Sequence, residues 1–559
     1  MLPFHNDSTD CSTGSCSSRK RQTITIMLPV HEPSRFAVAF RTLVIIYTLC
    51  TLAAMTLLPN LSHNQFFQLG KRPARPQSIS QSTDIKIREV QNQFPIHVGG
   101  DDDKEEIAHP GVLFSGSARL RAILPPTVHF PETMSVPKFW DPPVYTGGIR
   151  EFLGRHGQRL MTPAEAGSIG SLYDGRETIF VSVASYRDPE CRPTVENLYL
   201  RAKYPDRIRV AIIDQIDPEG DPKCSQPAIP CDQDPNQVLC KYHHLIDVLE
   251  VPAFLMVGPV FARHLAHRMY RGEYFVLQVD AHVRFTQNWD DDLIEQWWSA
   301  QNEMAVLSTY LTDIADSIDP QTHQSLRGRS RNVMCLLEYE GYGNTQHLIL
   351  KAPYQSRATI HNGPMLHPYW SAGFSFARGH FIIQVPYDQY LPMVFQGEES
   401  SIAIRGFTYG YDYYVPERSV AFHIYAMKEN ISRRNRHKYW ENETYFVGAL
   451  DQSLLRINGI LGAVKGMDDD PNIQGKYFSK DMDRYGVGFV RHKHQYYETF
   501  GIHTDTQTVE AHLCNFVLDS MHERFSSFLR NNRMGIDYAK INFQFRDPRK
   551  NGFNSNNNS

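Results

Sequence analysis

The sequence has no surplus of charge of either sign. Its 559 residues carry 57 Lys and Arg against 61 Asp and Glu, a formal charge of -4. No global basic field exists to hold a nucleic-acid polyanion, so a histone-like or general DNA-binding role is excluded. Low-complexity bulk is also missing. At 41% hydrophobic and 12% aromatic residues, the chain is too rich in core-forming side chains for a disordered or collagen-like protein. No internal repeat is present. Paired C-x-x-C knuckles are absent too, and the spacing Cys224-x6-Cys231-x8-Cys240 argues against a zinc site.

Charge is nearly missing between Phe36 and Leu58, where Arg41 is the one charged residue and 17 uncharged residues follow it. A helix over 36–58 spans about 34 Å, enough for a hydrocarbon core of about 30 Å. A signal peptide has an apolar stretch of about 7–15 residues ending at a small-residue cleavage site. This stretch is longer and runs into Leu57, Leu58 and Pro59, so it reads as an uncleaved transmembrane anchor. Arg19, Lys20, Arg21, Arg35 and Arg41 lie on or before it, against Lys71, Arg72 and Arg75 after it. That bias leaves 1–35 as a cytosolic tail and the large C-terminal part in the lumen. Cys191, Cys224, Cys231, Cys240, Cys335 and Cys514 then face an oxidising compartment where disulfides form, and their pairing is left open. Asn430-Ile431-Ser432 and Asn442-Glu443-Thr444 are sequons consistent with that routing.

Residues 59–172 read as a stem, with KRPARPQSISQSTD, an acidic run at Asp101–Glu106 and frequent proline, the texture of an extended spacer. From Thr178 the pattern changes. IFVSVASY is a β-rich run, a helix is expected over 194–202, and RIRVAIID supplies a second strand. Further expectations are a helix at 259–270, a strand at 274–279, a helix at 289–302 and a strand at 304–310. Strand, helix and strand with short connections predict a parallel α/β unit, and ligands sit at the carboxyl ends of such strands. A globular domain over 173–545 and a polar tail over 546–559 complete the division.

Asp280-Ala281-His282 follows the apolar strand YFVLQV. A carboxylate and an imidazole at the end of a strand suit a divalent metal such as Mn²⁺, able to bridge the phosphates of a nucleotide-sugar. The stretch GPVFARHLAHRMYRGEYFVLQVDAHVRFTQNWD, with SVASYRDPEC before it and YWSAGFSFARGHFIIQVPYDQYLPMVFQGEES after it, resembles the polypeptide α-N-acetylglucosaminyltransferases. The resemblance runs from about 178 to 515. It implies an α/β fold of GT-A type, with a Rossmann-like nucleotide-sugar-binding domain, and retaining transfer from UDP-GlcNAc with Mn²⁺ or another divalent cation.

On that resemblance Ser185, Tyr186, Arg187 and Asp188 contact the uracil and ribose of UDP, and Arg263 pairs with phosphate. Asp280 and His282 hold the metal, with His423 as a third ligand. Trp370 forms a wall for sugar or acceptor and Gly373 lets backbone approach the ligand. Of the adjacent Glu398 and Glu399, at most one faces the sugar, since neighbours point to different faces. Arg433, Arg434, Arg436 and Lys438 are candidates for a flap over the donor. No unambiguous carboxylate nucleophile stands out, which favours front-face transfer over double displacement. The expectation is a Golgi type II membrane enzyme acting on Thr in Thr-, Ser- and Pro-rich polypeptides. Two rivals are the same fold with another UDP-sugar donor and a catalytically inactive lumenal scaffold.

Overall fold

Runs of apolar and β-branched residues set the centre of the molecule. The computed structural model describes residues 127–129, 135–137 and 154–541, apart from 329, 352–355, 361, 426–437, 441–447, 465–466, 468–476 and 511–524. Outside them lie the expected tail and anchor (1–35 and 36–58), most of the stem, both sequons, Arg433, Arg434, Arg436, Cys514 and the polar terminus. Among the described residues no helix is long and apolar enough to cross a membrane.

The elements that build the site are strands β1 (Ile179–Tyr186), β2 (Ile208–Ile216), β3 (Ile246–Pro252), β4 (Phe275–Asp280), β5 (Val283–Phe285), β6 (Ala305–Ser308), β7 (Met365–Leu366), β8 (Phe374–Arg378), β9 (Asp412–Val415) and β10 (Ala421–His423). With them go helices α1 (Cys191–Arg201), α2 (Pro259–Arg268), α3 (Trp289–Ser299) and α4 (Glu398–Thr408). The chain is mixed α/β around one eight-stranded sheet in the order β7-β9-β6-β8-β4-β1-β2-β3. Strands β3, β2, β1 and β4 run parallel, and β8 lies antiparallel between β4 and β6. The first five residues of β1 and of β4 are buried. Sheets covered on both faces need such continuous apolar runs rather than alternation.

The chain leaves β1 towards β2 and β3 and returns on the other side of β1 as β4. At that change of direction the connections part beyond the carboxyl ends of β1 and β4 and leave a crevice. Gly258, at φ +107°, is the N-cap of α2 and Pro259 its first residue. Proline is pre-organised for that position, and α2 packs against β1 and β2.

Core packing reaches back beyond 173 towards the N-terminus. Met161, Ala166 and Ile169 are buried in the main cluster, and the Arg378 guanidinium donates to the carbonyls of Ala166 and Ile169 at 3.2 and 2.6 Å. Thr162 and Glu165 form a capping box on the short helix there. Cys191 is bonded to Cys224 and Cys231 to Cys240, and Cys335 is disulfide-bonded as well. The three cysteines of the 224–240 loop are therefore covalently engaged and are not zinc ligands.

Candidate active site

The apolar stretch of β4 ends at Asp280 and the chain turns at once into β5. Strand β10 pairs antiparallel with β5, setting His423 opposite Val283, and the Ile424 amide donates to the His282 carbonyl at 2.9 Å. Three residues from two distant stretches thus converge. Nε2 of His423 lies 3.4 Å and Nε2 of His282 3.8 Å from Oδ2 of Asp280. One ligand atom from each falls within 4.8 Å of the others. One carboxylate oxygen and two imidazole nitrogens form a donor set that suits Mn²⁺ or a related divalent ion.

Asp188 fixes the tautomer of this set. Its Oδ2 lies 3.0 Å from Nδ1 of His282. An ionised carboxylate can only accept, so Nδ1 carries the proton and the Nε2 lone pair is left facing Asp280. Burial pushes the His282 imidazole down to about 4 against the pull of Asp188, so the ring is neutral at physiological pH. Burial alone would raise the Asp280 carboxyl, yet the His423 hydrogen bond and the charge of Arg263 hold it well below the usual carboxylate range. Oδ1 of Asp188 accepts the Glu190 amide at 3.0 Å and the residue is 5% exposed. It holds the His282 ring in place from behind.

Arg263 is buried beside the Asp280 carboxylate. It is 7% exposed and bridges two carboxylates, Asp280 Oδ1 at 2.8 Å and Glu398 Oε1 at 2.6 Å. Both hands of the guanidinium are bonded to carboxylates, which holds Asp280 in place. Glu398 is buried by this pairing. Glu399, partly open, accepts from the Tyr310 hydroxyl at 2.5 Å and from the Ala372 amide at 2.9 Å. The two acids have different partners, and Glu399 is the less buried of the two.

Trp370 is 1% exposed, with Nε1 donating to Ser375 Oγ at 2.8 Å. Its ring is closed off from solvent. The turn after it matters more. Gln278 in β4 donates to the Ala372 carbonyl at 2.7 Å, drawing this turn against Asp280. A Cβ on Gly373 would sit 3.0 Å from Asp280 Oδ2. Gly373→Ala therefore crowds the Asp280 carboxylate, which must give by a few tenths of an ångström. The expected result is about a tenfold loss of activity at limiting Mn²⁺, of the size seen when a metal ligand's support is disturbed. Excess Mn²⁺ should restore part of it, with the unfolding midpoint unchanged. Equal activity at all metal concentrations would contradict this account.

At the carboxyl end of β1, Ser185 is 1% exposed and lies beside Asp214 in the β1–β2 register. Burial pushes the Asp214 carboxyl up to about 7, against the Cys224 amide bonded to it. Arg187 has φ +49°, uncommon for a side-chain-bearing residue, and pairs with Asp221 at 2.6 Å. The Cys191–Cys224 bond ties together the two loops that carry these residues. Tyr186 meets Tyr439 edge to face at 6.4 Å, and Tyr439 also lies against Gly258 at the start of α2. Asp214, Tyr310 and Tyr439 were not singled out in the sequence, because their parts depend on neighbours remote in the chain.

A family model described as Glycosyltransferase (GlcNAc) matches residues 178–237 and 228–506. The chain belongs to this family. The GlcNAc glycosyltransferase match spans every residue of the site from Ser185 to His423. No curated protein matches the chain. Solved structures similar to it include GalNAc-T7 with UDP, GalNAc and Mn²⁺ (11% identity, 74% of this chain and 71% of that one, TM-score 0.37). Another is the mannosyltransferase PcManGT from Pyrobaculum calidifontis with GDP-Man and Mn²⁺ (14%, 55% and 80%, TM-score 0.29). A third is S. aureus TarS 1-349 with UDP-GlcNAc (11%, 66% and 99%, TM-score 0.28). Likeness at this level carries no argument about what this member of the GlcNAc glycosyltransferase family binds.

Proposed function

We propose that this glycosyltransferase, a GT-A enzyme, moves GlcNAc from UDP-GlcNAc in α linkage to polypeptide hydroxyl groups, chiefly of Thr in Thr-, Ser- and Pro-rich segments. The observation that carries the reading is the cluster at the switch point of the sheet, where Asp280, His282 and His423 converge and Arg263 ties Asp280 to Glu398. A divalent ion such as Mn²⁺ held by these three residues would neutralise the charge on the departing diphosphate. Ser185, Tyr186 and the loops joined by Cys191–Cys224 form the nucleotide side. We further propose that 36–58 anchors the enzyme in the Golgi membrane with this domain in the lumen.

Retention follows a front-face course in which a departing phosphate oxygen takes the acceptor proton. Supporting this, Glu398 is 4% exposed and ion-paired with Arg263, a poor arrangement for a nucleophile that must attack the anomeric carbon. Glu399 orients the acceptor hydroxyl. Burial pushes its carboxyl up to about 7, against the Tyr310 and Ala372 hydrogen bonds. If its ionised form is the working one, kcat rises with pH through about 7 to a plateau. Glu399→Gln should give a lower and flat profile over that range. A retained rising limb in the variant would assign the titration to another group. The same shift makes Glu399 favour folding at acid pH, a contribution lost as pH climbs from 4.5 through about 7.

The test of the function is the full chain in detergent with Mn²⁺ and a panel of UDP-sugars, following UDP release and mass gain on Thr-rich and Pro-rich peptides. One HexNAc transferred from UDP-GlcNAc supports the proposal. Transfer from a different donor keeps the enzyme class and replaces the donor. Silence with every donor from folded protein overturns the reading in favour of a lumenal scaffold.

A further inference from the structure

Strand β4 is apolar from Phe275 to Val279 except at Gln278, which is 2% exposed. An amide at a buried position costs free energy unless its polar atoms are bonded, and here both are. Nε2 donates to the Ala372 carbonyl at 2.7 Å and to the Tyr387 hydroxyl at 2.9 Å, while Oε1 lies 3.0 Å from Nε2 of His267. A carbonyl can only accept, so the amide nitrogen must face Ala372 and the amide oxygen must face His267. His267 therefore carries a proton on Nε2, and one orientation of the Gln278 amide is imposed from both ends.

Gln278 and Asp280 are two apart on β4 and share a face, just as Arg263 and His267, four apart on α2, share one. The spacings agree, at about 6.6 Å along the strand and about 6 Å along the helix. Arg263 reaches Asp280 at 2.8 Å and His267 reaches Gln278 at 3.0 Å, two rungs between the same two elements. One rung ends on the metal cluster. The other continues into the turn between Trp370 and Phe374. There Ser308 Oγ accepts from the Ser371 amide and donates to the Phe374 carbonyl, each at 2.8 Å. Between these anchors sits Ala372, with its carbonyl on Gln278 and its amide on Glu399 Oε1 at 2.9 Å. An apolar side chain at 278 would fill the same space, but the Ala372 carbonyl would lose its donor and the turn its fixed height over β4.

Resting on the part proposed above for Glu399, we infer that Gln278 is a positioning residue for transfer: by holding the Ala372 peptide it fixes the Glu399 carboxylate, while itself sealed from solvent beneath the site.

The experiment uses the full chain in detergent with Mn²⁺, UDP-GlcNAc and a Thr-rich peptide, comparing wild type, Gln278→Met, Glu399→Ala and the double variant. Gln278→Met keeps the length of the side chain and removes its donors. Its kcat is expected to fall about tenfold, inside the range that a small misplacement of a positioned group produces, with KM for UDP-GlcNAc and Mn²⁺-dependent UDP binding within about twofold of wild type. Once Glu399 is gone Gln278 has nothing to position, so the double variant should match the kcat of Glu399→Ala to within about twofold. A residue that acts through packing alone would instead impose its tenfold loss on both backgrounds. Gln278→Asn, whose amide stops one methylene short of Ala372, takes the place of Gln278→Met in the cycle if that variant does not fold, and the same coupling is expected of it. Three results in folded protein overturn the inference: a single variant with kcat within about twofold of wild type, a parallel fall in UDP binding, or losses that multiply in the double variant. A wild type that transfers to no peptide overturns the functional reading itself, whereas an active wild type with multiplying losses overturns this inference alone.

Discussion

Asp280→Asn lowers transfer by a factor on the order of 10³ in the expected outcome, because a ligand worth several kcal/mol of charge stabilisation at the leaving diphosphate is lost. The substitution preserves volume, so the fold should survive. Its effect spreads through two contacts. His423 and His282 lose the carboxylate that faces them, and Arg263 keeps only Glu398 as a charged partner. Mn²⁺-dependent UDP binding, measured by calorimetry, should disappear together with turnover. If UDP binding in Mn²⁺ survives at wild-type strength while turnover falls, Asp280 is no metal ligand and its part lies elsewhere in the reaction.

Arg263→Met carries the largest expected effect on stability. The guanidinium stands between the Asp280 and Glu398 carboxylates, and its removal leaves two acids facing one another with little water. Breaking a buried pair in this way costs about 3–5 kcal/mol, read as a fall in the denaturation midpoint. Sign follows from the loss of the cation: both carboxyls then titrate higher in the folded state than in the unfolded chain. The variant should therefore regain stability as pH falls and lose it as pH rises. Adding Glu398→Gln should restore much of the loss, since one of the repelling charges is gone. A single variant within about 1 kcal/mol of wild type would mean that water already reaches the triad.

How much of this was legible beforehand differs residue by residue. Strands β1, β2 and β4 announced themselves because strands buried on both faces must be continuous apolar runs, and Asp280 was readable as the residue where one such run stops. His423 was named, but its position follows from pairing Ala421 with Phe285 across more than a hundred residues, which no local pattern encodes. Asp188 and Arg263 were singled out, but their contacts with His282, Asp280 and Glu398 were not. Both are short of solvent because other site residues occupy them, a fact that emerges only once α2 and the chain after β1 are packed against β4. Trp370 was singled out as well, and nothing local to it encodes that its ring is buried and bonded to Ser375. The family resemblance pointed at a glycosyltransferase and the family match bears that out, while donor, linkage and acceptor stand as proposals.

The bond between Cys191 and Cys224 has one more consequence. It fastens the loops after β1 and β2 covalently, whereas the cluster at the end of β4 is held by strand pairing and by the Asp188 and Arg263 side chains. A preparation made in a reducing cytoplasm would carry two thiols there, releasing the loop around Arg187 and Asp221 without disturbing the cluster at the end of β4. Metal binding would then look normal while nucleotide binding weakened. The apparent affinity of any sample for UDP thus becomes a record of where the protein was made, and the thiol count belongs beside every binding constant measured on it.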